Sequence, residues 1–161
     1  MNQQSVRWNT PLALWVSLGL ALVALSTVFS AGLENLWFNW QHKEEYSHGV
    51  LLPAIAAFLI WQKKYEIAEE RFTGSWLGVA IFLLGSLGCF AGSLSTLFSV
   101  IQYSFLIAIA GMVLAVTGIK AFRFFTVPFL IMLLSVPLPN FIYKNLSFEL
   151  QLISSSIGVF F

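Results

Sequence analysis

Five uncharged apolar stretches constrain this chain more than any motif in it. Residues 12–31, 75–94 and 97–119 carry no charged side chain, and each suffices for a helix across ~30 Å of hydrocarbon, which takes about 20 residues. Residues 124–138 and 49–61 form shorter runs of the same kind. With no water to satisfy backbone groups, such runs are stable only as helices. Charged residues make up 9% of the chain, hydrophobic ones 58%, and mean hydropathy is +0.84, where a soluble domain carries about 25% charged residues. In 161 residues that apolar surface has no water-soluble core to fill. The expected fold is all-α, a polytopic transmembrane helical bundle of about five spans with an amphipathic helix on the extracytoplasmic side.

Several function classes drop out. Net charge is +1 and no basic patch with interleaved aromatics occurs, so nucleic acid is not an expected partner, while membrane lipids are. The single cysteine, Cys89, excludes an internal disulfide and any cysteine-rich metal site. Set in Leu87-Gly88-Cys89-Phe90, it reads as a small apolar packing residue. No cofactor or metal is expected. The first apolar run is too long for a cleaved leader and carries no small-residue cleavage pattern.

Along the chain the reading is one multi-pass domain over residues 1–161, with spans at about 12–31, 46–62, 75–94, 97–119 and 124–138. Thr10-Pro11 starts the first helix, with Trp8 and Trp15 suited to the interface. Trp37-Phe38-Asn39-Trp40 should lie flat at the opposite interface. The run 49–61 is too short to span alone; either the helix takes in Tyr46 to His48 or the bilayer thins, and both place His48 at or below the membrane surface. Gly85, Gly88 and Gly92 share a helix face that permits close contact, and Gln102 is an amide inside the fourth span. Val136-Pro137-Leu138-Pro139 forces a turn, because proline lacks a donor and disfavours helix in the residue before it. From residue 140 to 161, Ile142, Leu146, Leu150, Ile153 and Ile157 recur at helical spacing. Asn140, Lys144, Ser147 and Gln151 form the opposite stripe of that amphipathic helix. It either lies in the interface or lines a polar cavity.

Alternating five spans puts Arg7, Lys63, Lys64, Arg71, Lys120 and Arg123 on one side, with Lys43 and Lys144 on the other. The positive-inside rule then makes the N-terminus cytoplasmic. Ile157-Gly158-Val159-Phe160-Phe161 is an apolar run without closing charge, and the expectation is an incomplete chain.

The candidate site is Tyr46-Ser47-His48-Gly49, where the polar run Gln41-His42-Lys43-Glu44-Glu45 meets apolar sequence. Ionisable groups at a bilayer entrance are costly and suggest a site; a solvated loop with a helix-starting Ser47 is the plainer alternative. Ser47 and His48 are adjacent, so on a helix they point about 100° apart and make a poor nucleophile–base pair. His42, Glu44, Glu45 and His48 have metal-binding chemistry but no spacing that gathers them.

These residues also resemble a known family. Tyr46-Ser47-His48-Gly49, the apolar run with Pro53, and Trp61-Gln62-Lys63-Lys64 are similar to the N-terminal signature of the exosortases. So are Gly74-Ser75-Trp76-Leu77-Gly78, Leu94-Ser95-Thr96 with Ile101-Gln102-Tyr103, Val136-Pro137-Leu138-Pro139, and the tail from Leu146 to Ser155. The resemblance spans about residues 35–161, and its nearest branch is that paired with VPLPA-type sorting signals. It implies a membrane cysteine transpeptidase, or protease, of the bacterial inner membrane. Such an enzyme cleaves C-terminal sorting tails (PEP-CTERM-like) from exported proteins through a thioester, with arginine stabilising the oxyanion and histidine as acid/base. The family cysteine sits in Glu-x-Cys-x-Gly-x-Arg, which Cys89 does not match, so no catalytic residue is expected in this chain; they would lie beyond residue 161. What carries over is Tyr46, Ser47, His48 and Gly49 on the active-site face, Asn140, Lys144 and Gln151 along a substrate groove, and Pro137 and Pro139 as a structural turn. The alternative is a non-enzymatic membrane subunit or transporter fragment.

Overall fold

The structure, a computed structural model, describes residues 12–70 and 72–160. Thr10-Pro11, Trp8, Arg7, Arg71 and Phe161 lie outside them. The described elements are helices: α1 (Leu12–Val28), α2 (Ser30–His42), a 3-10 turn (Glu44–Val50), α3 (Leu51–Gln62), α4 (Lys64–Glu69), α5 (Trp76–Leu94), α6 (Phe98–Ser135) and α7 (Asn140–Phe160).

The bundle is built inside out relative to a soluble protein. On α5, Leu83, Leu84, Leu87 and Phe90 are exposed, while Gly78, Gly85, Cys89 and Gly92 are buried. Lipid solvates leucine as well as a protein core does, so helices associate through close backbone approach rather than apolar burial. A β-carbon on Gly85 would sit 2.6 Å from the Ala108 backbone nitrogen, and one on Gly92 2.7 Å from Ile101 Cγ1. The glycine face of α5 therefore lies directly against α6. Around it, Leu25, Phe29, Cys89, Ile101 and Ala108 form the core, with Phe29 and Phe105 rings 5.3 Å apart. Cys89 packs there as a small residue, its thiol 3.9 Å from the Val28 carbonyl.

Although α6 runs for 38 residues, it is not one rod. Gly118 has φ 80° and ψ 169°, outside any helix and open to glycine alone. Contacts at the two ends of α6 show how sharply it reverses. Gln102 bonds to Asn35 of α2, and the Ser135 carbonyl accepts from Trp40 of the same short helix. A straight helix would hold Gln102 and Ser135 about 50 Å apart, whereas their partners are less than two turns apart. The arms 98–117 and 119–135 thus run antiparallel, joined at Gly118 without a loop. Thr73 and Gly74 fill the corner, and the Ser75 amide donates to the Ala115 carbonyl at 3.1 Å.

A second break separates α1 from α2, which meet at 77° around Phe29. The aromatic stretch read as interfacial is the second half of α2, and it runs nearly crosswise to α1. Two helices, Trp76–Leu94 and Phe98–Ser135, are long and apolar enough to cross a membrane, or three if the bent α1–α2 pair is one span. Length and composition among the described residues give two or three crossings, where the apolar runs led to an expectation of five.

Basic groups collect at the end of the bundle that holds the Gly118 corner. Lys63 Nζ lies 5.9 Å from the Phe124 ring, Lys64 Nζ 4.7 Å from the Trp61 ring, and Arg123 bonds Glu70 at 2.7 Å. The pairs Lys63–Glu66 and Arg123–Glu70 are solvent-facing and worth at most about 1 kcal/mol each.

Replacing Gly118 by alanine would force positive φ on a β-carbon and press it to 2.6 Å from Thr73 Oγ1. Gly118→Ala is expected to cost about 1–3 kcal/mol, read as a lower unfolding midpoint in detergent.

Candidate functional site

At the other end of the bundle three sequence-distant segments meet. The first is the 3-10 turn that carries Tyr46, Ser47, His48 and Gly49. These residues are not drawn into α3, which starts at Leu51. Local chemistry favours the tight turn: Ser47 Oγ donates to the Glu44 carbonyl at 2.9 Å, competing with helix extension. Gly49 is buried against the Trp40 indole, and any β-carbon there would overlap the ring. Val50, the residue before α3, gives no side-chain cap, so Ser47 does not start that helix.

The second segment is the proline turn. Trp40 Nε1 donates to the Ser135 carbonyl at 2.8 Å, satisfying a group that Pro139 and the end of α6 leave without a helical partner. Val136 and Pro137 are buried beside it. Pro139 turns the chain into α7, its carbonyl accepting from the Ile142 and Tyr143 amides at 2.9 and 3.1 Å.

The third segment is the start of α7. Tyr143 OH donates to Glu45 Oε1 at 3.1 Å, tying the amphipathic helix to the turn. Lys43 Nζ lies 6.0 Å from the Tyr46 ring centroid. Asn140 opens α7, while Lys144 and Gln151 farther along it are exposed. The structure thus links the Tyr46–Gly49 turn through Trp40 to Ser135, just before Pro137, and leaves Lys144 and Gln151 exposed on α7.

Ser47 and His48 are both exposed, on the outer side of the turn. His42 stacks on Phe38, ring centroids 4.1 Å apart, with Nδ1 3.0 Å from the Phe38 carbonyl. Among the described residues no three His, Cys, Asp or Glu side chains are grouped to hold a metal ion. The amide Gln102, marked in the sequence inside the fourth span, has partners the sequence did not mark: its Nε2 donates to the Gly32 carbonyl at 3.1 Å and to Asn35 Oδ1 at 3.2 Å. Asn39 Nδ2 donates to the same Asn35 oxygen at 2.9 Å. Spacing of Asn35 and Asn39 at i and i+4 was the available signal, but nothing in it points to Gln102.

Two outcomes follow from this geometry. Gly49→Ala is expected to displace the Trp40 indole and cost about 1–3 kcal/mol through overpacking, visible as a lower midpoint and altered near-ultraviolet circular dichroism. The Glu45 carboxylate, by accepting the Tyr143 hydroxyl and by its charge, raises that phenol above the ordinary value of about 10. This contact is fully present below the ordinary phenol range and lost as pH rises through the raised value, when two anions would face each other. The ultraviolet titration difference between the native chain and Tyr143→Phe is therefore expected to have its midpoint above 10.

An all-helical chain of apolar helices packed through glycine, with polar turns gathered at one end, defines a polytopic membrane protein. The sequence matches the model of the transmembrane exosortases (Exosortase_EpsH) over residues 40–161, and the chain belongs to that family. No curated protein and no solved structure matches it.

Proposed function

We propose that this exosortase chain forms the N-terminal part of a membrane transpeptidase of protein sorting. The reading is that it contributes the docking face, not the nucleophile. The intact enzyme would cleave C-terminal sorting tails from exported proteins through a cysteine thioester. The single observation that supports this is convergence. The Tyr46–Gly49 turn, the Val136–Pro139 turn and the start of α7, all part of the family resemblance, are joined by Trp40–Ser135 at 2.8 Å and Tyr143–Glu45 at 3.1 Å. Such an end, polar and beside exposed apolar helices, suits a substrate that is itself a membrane helix with a short polar motif. The Glu-x-Cys-x-Gly-x-Arg pattern occurs nowhere in these residues, so the thiolate chemistry is assigned outside them. On this reading His48, Ser47, Lys144 and Gln151 contact the sorting tail.

The proposal includes five spans, with each α6 arm as one, a cytoplasmic N-terminus, and residence in the bacterial inner membrane. The separation of basic residues supports the orientation: Lys63, Lys64, Lys120 and Arg123 at the Gly118 end, Lys43 beside the turn.

The test is co-expression of the intact gene product with an exported reporter bearing a VPLPA-type tail. Tail loss, seen as a mobility shift, is expected with the native protein and not with residues 1–161 alone. It should fall at least tenfold in a Gly49→Leu, His48→Ala variant. A membrane-impermeant thiol reagent is expected to label cysteine introduced at Ser47 and not at Lys64 in intact cells. Unchanged processing in the double variant would remove the docking assignment.

A further inference from the structure

Gln102 is 2% exposed, near the start of the first arm of α6. Its orientation is fixed by its neighbours: Nε2 faces two oxygens, those of Gly32 and Asn35, so a flipped amide would set oxygen against oxygen. The cost of this arrangement lies on the other side of the amide. Gln102 Oε1 is buried with no hydrogen-bond partner. In a dry helix interface an unpaired carbonyl is unfavourable, and an apolar side chain of the same shape avoids that penalty.

The amide is also unnecessary to its partners. In α2 the Gly32 carbonyl keeps the helical bond from the residue four along, and Asn35 Oδ1 keeps the bond from Asn39. Removing Gln102 orphans nothing. Its one distinct effect is to join α6 to α2 across two successive turns of the same face, Gly32 and Asn35. Along that face come Asn39, buried, and Trp40, whose indole seats Gly49 and holds the Ser135 carbonyl.

We propose that Gln102 is a positioning residue. It fixes the roll of α2 against α6, and so sets the Trp40 indole on which the Tyr46–Gly49 turn and the end of α6 both rest. The inference about α2 stands on geometry alone; its consequence for tail processing rests on the reading above.

The measurement is hydrogen exchange of the Trp40 indole N–H, assigned with Trp40→Phe, in the purified protein in detergent. Gln102→Met fills nearly the same volume. It is expected to leave the unfolding midpoint unchanged or raised while indole exchange speeds about tenfold, the scale of one net hydrogen bond. Gln102→Glu, buried and neutral, still donates one O–H and is expected to restore slow exchange. Unchanged exchange in Gln102→Met overturns the proposal. So does a large loss of stability, which would make the residue structural. In the intact enzyme, faster exchange with unchanged processing would keep the positioning role and sink the docking role of the turn. Faster exchange with reduced processing supports both.

Discussion

Inside hydrocarbon every backbone donor and acceptor must find a partner in the protein, and this fold interrupts its helical course at Gly118, after Ser135 and around Phe29. The breaks at Gly118 and at the end of α6 are each closed by a group from elsewhere. At Gly118 the Ser75 amide reaches the Ala115 carbonyl, and Thr117 Oγ1 donates to Val113 at 2.8 Å. At the end of α6 the Trp40 indole takes the Ser135 carbonyl, while the Val136 amide turns back to Leu133 at 3.4 Å. Around Phe29 helical bonds continue through the bend, Phe29 to Leu25 and Leu33 to Phe29. The closure by Trp40 is the one that assembles the candidate site. Satisfying the backbone and building the polar end are there the same interaction.

Helix α2 carries this arrangement because its faces are assigned against soluble-protein habit. Asn35, Asn39 and Gly32 turn inward, whereas Trp37 and Phe38 are more than half exposed. Amides inside specify roll, since they bond only in one register, and rings outside cost nothing where the surroundings are apolar. A leucine-rich version of α2 would bury as much surface and fix far less.

Much of the architecture was legible in the sequence. Charge-free runs demanded helices, Val136-Pro137-Leu138-Pro139 demanded a turn, and Gly85 with Gly92 marked the contact face of α5. Apolar runs report length well but contact poorly, which is why the break at Phe29 went unmarked: Val28-Phe29-Ser30 contains neither glycine nor proline. The same limit applied to the site. Tyr46-Ser47-His48-Gly49 stood out as a motif, yet its support comes from Trp40, Ser135 and Tyr143, and pairing across 95 residues leaves no trace in spacing. Tyr46 to His48 were weighed as part of a lengthened helix; the Ser47–Glu44 bond and the fit of Gly49 to Trp40 hold them in a tighter turn instead.

The reversal at Gly118 also bears on how the molecule is made. A hairpin without a loop offers no polar linker that could wait outside while one arm enters the bilayer alone. Its two arms are tied to each other at one residue, with Lys120 and Arg123 just past the corner. α5, which precedes the hairpin in the chain, meets its first arm glycine to backbone. The corner thus ties the pairing of the two arms to their seat on α5 at a single residue, and errors there would surface as mispaired helices before they surfaced as a damaged site.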